Sequence, residues 1–165
     1  MVEINGVNMK NFSYSEFPEG ELEYVDYTQL EKLQQFRTIL GARIRPSKVP
    51  GALSRLDGSK TSDHKVLLGS EGQLLKPSTG IDVFCNTHIF KAWTVALTCG
   101  LWDAVGVYFD THDNEGLFHP MLHLGQRSHN AIWLRDYGKY KSPYKTKEFY
   151  AELLKQFKYV SGSNI

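Results

Sequence analysis

Three short segments of this 165-residue chain carry, in order, a histidine, an aspartate and a second histidine. They are Thr61-Ser62-Asp63-His64, Gly80-Ile81-Asp82-Val83 and Pro120-Met121-Leu122-His123-Leu124. Two imidazole nitrogens and one carboxylate are the donor set of a zinc site that keeps its fourth position for water, as a hydrolase requires. Asp82 lies among Ile81, Val83 and Phe84, and His123 among Met121, Leu122 and Leu124. Burying a carboxylate in such a setting is costly unless it is paired or bound to metal. Taken singly, such an Asp is as often a salt-bridge partner, and such a His is more often a hydrogen-bonded core residue. The concurrence of His64, Asp82 and His123 favours a metal site.

His119 stands four residues before His123, and Pro120 between them excludes one helix presenting both. On an extended segment positions 119, 121 and 123 share a side. His119 is therefore expected to face the same cleft and is the candidate proton carrier. His88, His112 and His129 lack comparable neighbours and read as surface or capping residues.

The elements that must position these groups follow from hydrophobic periodicity. Residues 1–27 are polar with scattered rings, Phe12, Tyr14, Phe17, Tyr24 and Tyr27, and read as an arm held on the domain by those rings. Thr28-Gln29-Leu30-Glu31 resembles a capping box, and apolar residues from Leu30 to Leu40 recur at helical spacing up to Gly41. Ala42–Arg45 reads as a short strand ended by Pro46. Residues 47–79 are rich in Gly, Ser, Lys and Pro, and a loop that long inside a domain is usually functional. Ile81–Phe84 reads as a buried strand. A helix capped by Asn86 or Thr87 and stopped by Gly100 is apolar on most of its circumference, which suits a central core helix. Short strands are expected at 105–108, 121–124 and 131–134, and a last amphipathic helix at 146–157 within a C-terminal segment, 142–165. Strands and helices mix without regular alternation. The expected fold is α+β, a small and mainly antiparallel sheet backed by the helix near 87–99.

Composition narrows the function further. The hydrophobic content of 41% over 165 residues suits one domain, 1–165, with its own core. With 19 basic and 18 acidic side chains the net charge is +1, so no global field points to nucleic acid. No apolar stretch is long enough for a membrane span, and the first residues lack the pattern of a signal peptide. Cys85 and Cys99 are too few and wrongly spaced for a cysteine metal site and read as small buried hydrophobes.

The ordered segments resemble the M15 metallopeptidases of the D-alanyl-D-alanine carboxypeptidase and hedgehog-like fold. That family has a pattern S-x-H-x-x-G-x-A-x-D followed by a late His in a short apolar strand. Ser62-Asp63-His64, Gly80-Ile81-Asp82-Val83 and Leu122-His123-Leu124 match its three parts. Asn11-Phe12-Ser13-Tyr14-Ser15-Glu16-Phe17 resembles its entry segment, so the likeness spans about residues 9–135. It is closest to phage-encoded branches. The resemblance implies Zn2+ held by His64, Asp82 and His123, and Arg55 as the fork that grips a substrate carboxylate or carbonyl. It also implies Ser62 as support for the His64 loop, and a peptidoglycan peptide containing a D-residue as substrate. A phage protein of this kind would reside in the host cytoplasm before release, or in the virion with other virion proteins.

Three departures accompany the likeness. His64 and Asp82 are 18 positions apart (82 − 64), so Lys65–Thr79 looks like an insertion near the site. The position two after the last ligand is Gly125, where the family carries Asp. The family's general base precedes the last His by two or three residues, and those positions here are Met121 and Pro120. His119, Asp113, Glu115 or Asp110 are the available substitutes. Two further readings are therefore carried: a phage structural protein that keeps the scaffold without turnover, and an unrelated α+β binding domain whose histidines coincide.

Overall fold

The computed structural model describes residues 2–4, 6–143 and 146–162. The chain opens with a hairpin, β1 (Val2–Ile4) and β2 (Val7–Met9). Val7, Met9, Phe12, Phe17, Leu22 and Val25 are buried in the same apolar cluster as the later helices and strands. The stretch from Val7 to Val25 thus contributes six side chains to the core. Tyr14 and Tyr27, expected to pin the arm, are exposed. Aliphatic side chains and the Phe12–Phe17 ring pair, 5.7 Å between centroids, do that work instead.

Helix α1 (Tyr27–Leu40) starts two residues earlier than a capping box with Thr28 as its cap implies. Its cap is Asp26, whose carboxylate accepts from the Thr28 amide at 2.9 Å and the Thr28 hydroxyl at 2.7 Å. An ionised Asp is the stronger acceptor for the exposed amides of a helix start, and its charge suits the dipole. Gly41 closes the helix in the left-handed conformation at φ 65. Strand β3 (Ile44–Pro46) then forms the edge of the main sheet. The Ser47 amide donates to the Asp82 carbonyl at 2.9 Å, so the Pro46 nitrogen faces outward where no ladder bond is lost.

The segment 47–79 is not structureless. It contains a small hairpin, β4 (Leu67–Leu68) and β5 (Leu74–Lys76), and Asp63 is tied to its far end: the Thr79 amide donates to the Asp63 carbonyl at 2.8 Å. Strand β6 (Gly80–Cys85) is buried throughout. Helix α2 (Ile89–Thr98) is capped by His88, whose Nδ1 accepts from the Phe90 amide at 3.3 Å. Only one face of α2, Ile89, Ala92, Trp93 and Ala96, is fully buried, so it is amphipathic and not buried all round. Strands β7 (Ala104–Tyr108), β8 (Met121–Gly125), β9 (Ala131–Asp136) and β10 (Lys139–Lys141) follow, then α3 (Thr146–Gly162).

The fold is α+β. Its six-stranded sheet runs β10-β9-β7-β8-β6-β3 and is mixed: every adjacent pair is antiparallel except β7 and β9. The parallel pair arises because the chain leaves β8, passes the end of β7 and enters β9 on its far side. Side-chain alternation gives the sheet two faces. Ile81, Val83, Val105, Val107, Leu122, Leu124 and Leu134 join the cluster formed with α1 and α2. Phe84, Tyr108, Met121 and Trp133 form a second cluster on the opposite face. Each fully buried aliphatic side chain of the first face contributes about 1.5–3 kcal/mol.

Candidate metal centre

Asp82 and His123 are a directly opposed cross-strand pair of β6 and β8, on the face away from α1 and α2. His64 reaches them from the 47–79 loop. Its carbonyl accepts from the Arg55 amide at 2.9 Å and its amide donates to Ser62 Oγ at 3.3 Å, so backbone pairing fixes where the imidazole starts. The 18-position separation is bridged by the tie between Asp63 and Thr79, which returns the chain to β6 beside its point of departure.

All three side chains are buried. His64 Nε2 lies 3.0 Å from His123 Nδ1 and 3.4 Å from Asp82 Oδ1, and His123 Nδ1 lies 2.9 Å from Asp82 Oδ1. For four tetrahedral bonds of about 2.05 Å the ligand atoms stand about 3.3 Å apart, so the triangle is close to the size zinc requires. His64, Asp82 and His123 therefore form a buried group able to hold a metal ion.

The protons on the two imidazoles are fixed from behind. His123 Nε2 lies 2.9 Å from Asp63 Oδ2. Arg127 Nε donates to both Asp63 oxygens, at 2.8 and 3.0 Å. Burial opposes charge on Asp63, but His123 and Arg127 outweigh it and hold its carboxyl below the usual range. An ionised carboxylate only accepts, so His123 Nε2 carries a proton and Nδ1 is the nitrogen left facing the site. His64 Nδ1 is 3.4 Å from the Leu53 carbonyl, also only an acceptor, which leaves Nε2 as the free lone pair. Both ring nitrogens needed for a metal are those the outer contacts leave unengaged, and on His123 a metal would take the place of a proton.

Without a metal, His123 sits between two carboxylates. Burial alone would push its pKa down, yet the hydrogen bonds and charges of Asp63 and Asp82 raise it to about 9. Asp82 is held well below the ordinary carboxylate range: burial is outweighed by His64 and His123.

Glycines make the room. A Cβ on Gly125 would approach Asp63 Oδ2 to 2.6 Å, and one on Gly80 would approach Asp63 Cβ to 2.9 Å and both imidazoles to 3.1 Å. The carboxylate on His123 thus comes from position 63, and a side chain at 125 would displace it. A Cβ on Gly106 would meet the Trp133 ring at 2.2 Å, so the indole lies over β7 with its centroid 5.0 Å from that of His123. The sequence pattern assigns no role to Asp63, Arg127 or Trp133. The run Asp63-His64 was the only local signal, since Arg127 joins it across 64 positions.

A cleft of about 430 Å³ opens onto the centre and is lined by His64, Asp82, Arg55, Tyr108, Asp110 and Arg135, among others. Two larger surface hollows, about 550 and 820 Å³, contain none of the metal donors. Arg55 is exposed at the cleft, with Nη2 donating to Ser62 Oγ at 2.7 Å. Ser62 thereby supports both the His64 amide and Arg55. Glu21 steadies the same loop by accepting from the Gly51, Leu53 and Ser54 amides at 2.7–3.0 Å, a role its sequence context did not reveal.

His119 is not among the cleft-lining residues. Strand β8 begins at Met121, so its alternation does not extend back to 119. The His119 amide instead donates to the Thr111 carbonyl, and the ring packs edge-on to Phe84 at 5.6 Å with Nδ1 2.9 Å from the Pro120 carbonyl. His112, read as a surface residue, is exposed and also lines the cleft. Of the other substitutes, Asp113 and Glu115 are ion-paired with Arg45 at 3.0 and 2.9 Å and do not line the cleft, while Asp110 does. Burial raises the Cys85 thiol to about 12, consistent with a small hydrophobe. No protein-family model matches the chain, and neither a curated protein nor a solved structure matches it.

Proposed function

We propose that this protein is a zinc-dependent peptidase of the M15 type, phage-encoded and acting on peptides of peptidoglycan. The observation that carries the proposal is the convergence of His64 Nε2, His123 Nδ1 and Asp82 Oδ1, with outer contacts that engage the opposite nitrogen of each imidazole. Zinc bound there would polarise a scissile carbonyl and activate water. The protein's part is to hold that ion through His64, Asp82 and His123, and to keep the imidazoles in one tautomer through Asp63 and Leu53. Arg55 offers a planar fork to a substrate carbonyl or carboxylate at the rim. The proton carrier is one of the cleft-lining groups, His112 or Asp110.

A second reading is a phage structural protein that retains the metal centre without turnover. It is favoured by Met121 and Pro120 at the positions where the family carries its base, and by His119 lying outside the cleft. One experiment separates the two. Purified protein is assayed for metal by plasma mass spectrometry and incubated with purified peptidoglycan, and the released peptides are identified by mass. About one zinc per chain with new peptide termini supports the peptidase. Zinc without cleavage supports the scaffold, and a protein that takes up no zinc refutes both.

A further inference from the structure

The charge of this chain is unevenly spread. Residues 127–165 hold eight basic and three acidic side chains, net +5, whereas residues 1–126 hold eleven and fifteen, net −4. The tertiary structure gathers much of the basic excess on the outer side of α2 and α3. That side lies across the sheet from the metal cleft.

Two ring contacts lay α3 alongside α2: Phe157 with Phe90, 5.4 Å between centroids, and Phe149 with Trp93, 6.3 Å. Phe149 is buried in the aliphatic cluster, yet Tyr150, Leu154 and Phe157 are each more than half exposed. Spaced by four and three residues, they form one row about 10 Å long on the helix. Leu97 of α2 is exposed as well. An apolar row of this kind, on a helix that already has its buried stripe, marks a surface for a partner.

Lysines stand beside the row and carboxylates do not. At about 100° per residue, Lys147 and Lys158 lie roughly 20° and 40° round the helix from Leu154, whereas Glu148 and Glu152 lie roughly 120° and 160° away. Glu152 accepts from Gln156 and pairs with Lys155, which also meets Asp136 of β9. Lys141 of β10 is directly opposed to Leu134, a member of the aliphatic cluster. Lys141, and Lys139 two residues before it, therefore project on the α3 side of the sheet. Helix α2 adds Lys91 and carries no acidic residue. Among the described residues, only Lys155 of these lysines is engaged in an ion pair.

We propose that the outer face of α2 and α3 docks on an anionic lipid bilayer and lies on it without crossing it. Among the described residues no helix is long and apolar enough to cross. A bilayer interface takes both halves of this surface. Tyr150, Leu154 and Phe157 enter the acyl boundary, while the lysine stems run beside them and leave their ammonium groups among the lipid phosphates. A soluble polyanion would use the lysines and leave the apolar row in water. A second copy of α3 would cover the row but leave the lysines without counter-charge, because the acids of α3 lie on its other side. Docked in this way, the protein turns its metal cleft away from the bilayer, since Asp82 and His123 stand on the opposite face of the sheet. The proposal does not depend on the peptidase reading.

The test uses the full chain and two sets of vesicles, phosphatidylcholine alone and phosphatidylcholine with an equal part of phosphatidylglycerol, with bound protein read by co-sedimentation. Wild type is expected to bind the mixed vesicles at least about tenfold more tightly than the neutral ones. A lysine near an anionic surface strengthens binding by about fivefold, so Lys147→Gln combined with Lys158→Gln should weaken binding by about 25-fold. Leu154→Glu should weaken it by about tenfold or more, the factor that burying a leucine side chain contributes. Both variants change exposed side chains, so circular dichroism and zinc content should match wild type. Equal binding to the two vesicle sets, or none to either, overturns the proposal, as does binding that survives removal of both lysines. Binding that needs the lysines but survives Leu154→Glu assigns the surface to anionic polymers and overturns it. Dimerisation in sedimentation velocity that Leu154→Glu abolishes, without vesicle binding, assigns the row to a second copy and overturns it too.

Discussion

The two faces of the main sheet are equally buried and chemically opposite. On one, Ile81, Val83, Leu122, Leu124, Val105 and Val107 meet α1 and α2 with side chains that carry no polar atom. On the other, the same three strands present Asp82, His123, Gly106 and Tyr108, and the neighbouring β9 adds Trp133 and Arg135. Every residue of β6, β7 and β8 is buried, so burial does not tell the faces apart. What differs is how burial is compensated. The aliphatic face needs only shape, whereas each charge on the other face is matched by a partner within hydrogen-bond distance. A site this dry stays folded because Asp63, Arg127, His64 and Asp82 balance one another, and a metal would replace a proton inside that balance.

The sharpest way to break the comparison is to remove a donor. His123→Ala is expected to abolish zinc retention altogether, read as metal per chain after desalting, while circular dichroism still reports a folded sheet. Retention of stoichiometric zinc would show that the three groups are not the ligands. The mirror experiment on the aliphatic face is Leu124→Ala, which should cost about 2–5 kcal/mol in urea unfolding and leave zinc stoichiometry in the folded fraction intact. A zinc defect there would mean that the faces are coupled.

Acidity sharpens the contrast next. His123 is raised from an ordinary value near 6.5 to about 9 in the metal-free protein. Its protonated form therefore adds stability that is fully present below about 6.5 and is lost as pH rises through about 9. Zinc needs that same nitrogen bare, so its affinity should rise by about tenfold per pH unit across this window. Melting temperatures with zinc and with chelator should diverge as pH increases, and a constant gap would refute the assignment. Asp63 and Asp82 have depressed values, so their contribution is present above about pH 4 and is lost on acidification.

The smallest expected effect comes from the outer contact. Asp63→Asn should weaken zinc binding by about 10–100-fold, because the amide no longer enforces a proton on His123 Nε2. Gly125→Ala should act in the same direction by crowding Asp63 Oδ2. Competition with a fluorescent chelator measures both, and wild-type affinity in Asp63→Asn would remove Asp63 from the centre.

Much of the chain's local order was legible in its residues. Apolar spacing marked α1 and α2, a period imposed by backbone geometry alone, and short apolar runs marked β6 and β8. The His64, Asp82 and His123 triad was legible for a related reason: charged or polar side chains between aliphatic neighbours have few acceptable fates. The cap of α1 was misread because Asp26 and Thr28 both fit the rule, and the choice depended on which oxygen met an unpaired amide. Strand β10 and the hairpin of β4 and β5 were missed, being too short to show a period.

The sequence by itself determined which residues could bear chemistry and which strands would hold two of them, since side-chain type and period need no partner. Only the tertiary structure decided which groups share a cleft. Arg127 reaches Asp63 across 64 positions, and Arg135 joins Tyr108 through the parallel pairing of β7 with β9. The same step left His119 packed on Phe84 and off the cleft lining, because alternation holds only while a strand continues, and β8 begins at Met121. Contacts of that kind depend on strand order and register, which are set by how the aliphatic face packs and not by the residues that the packing brings together.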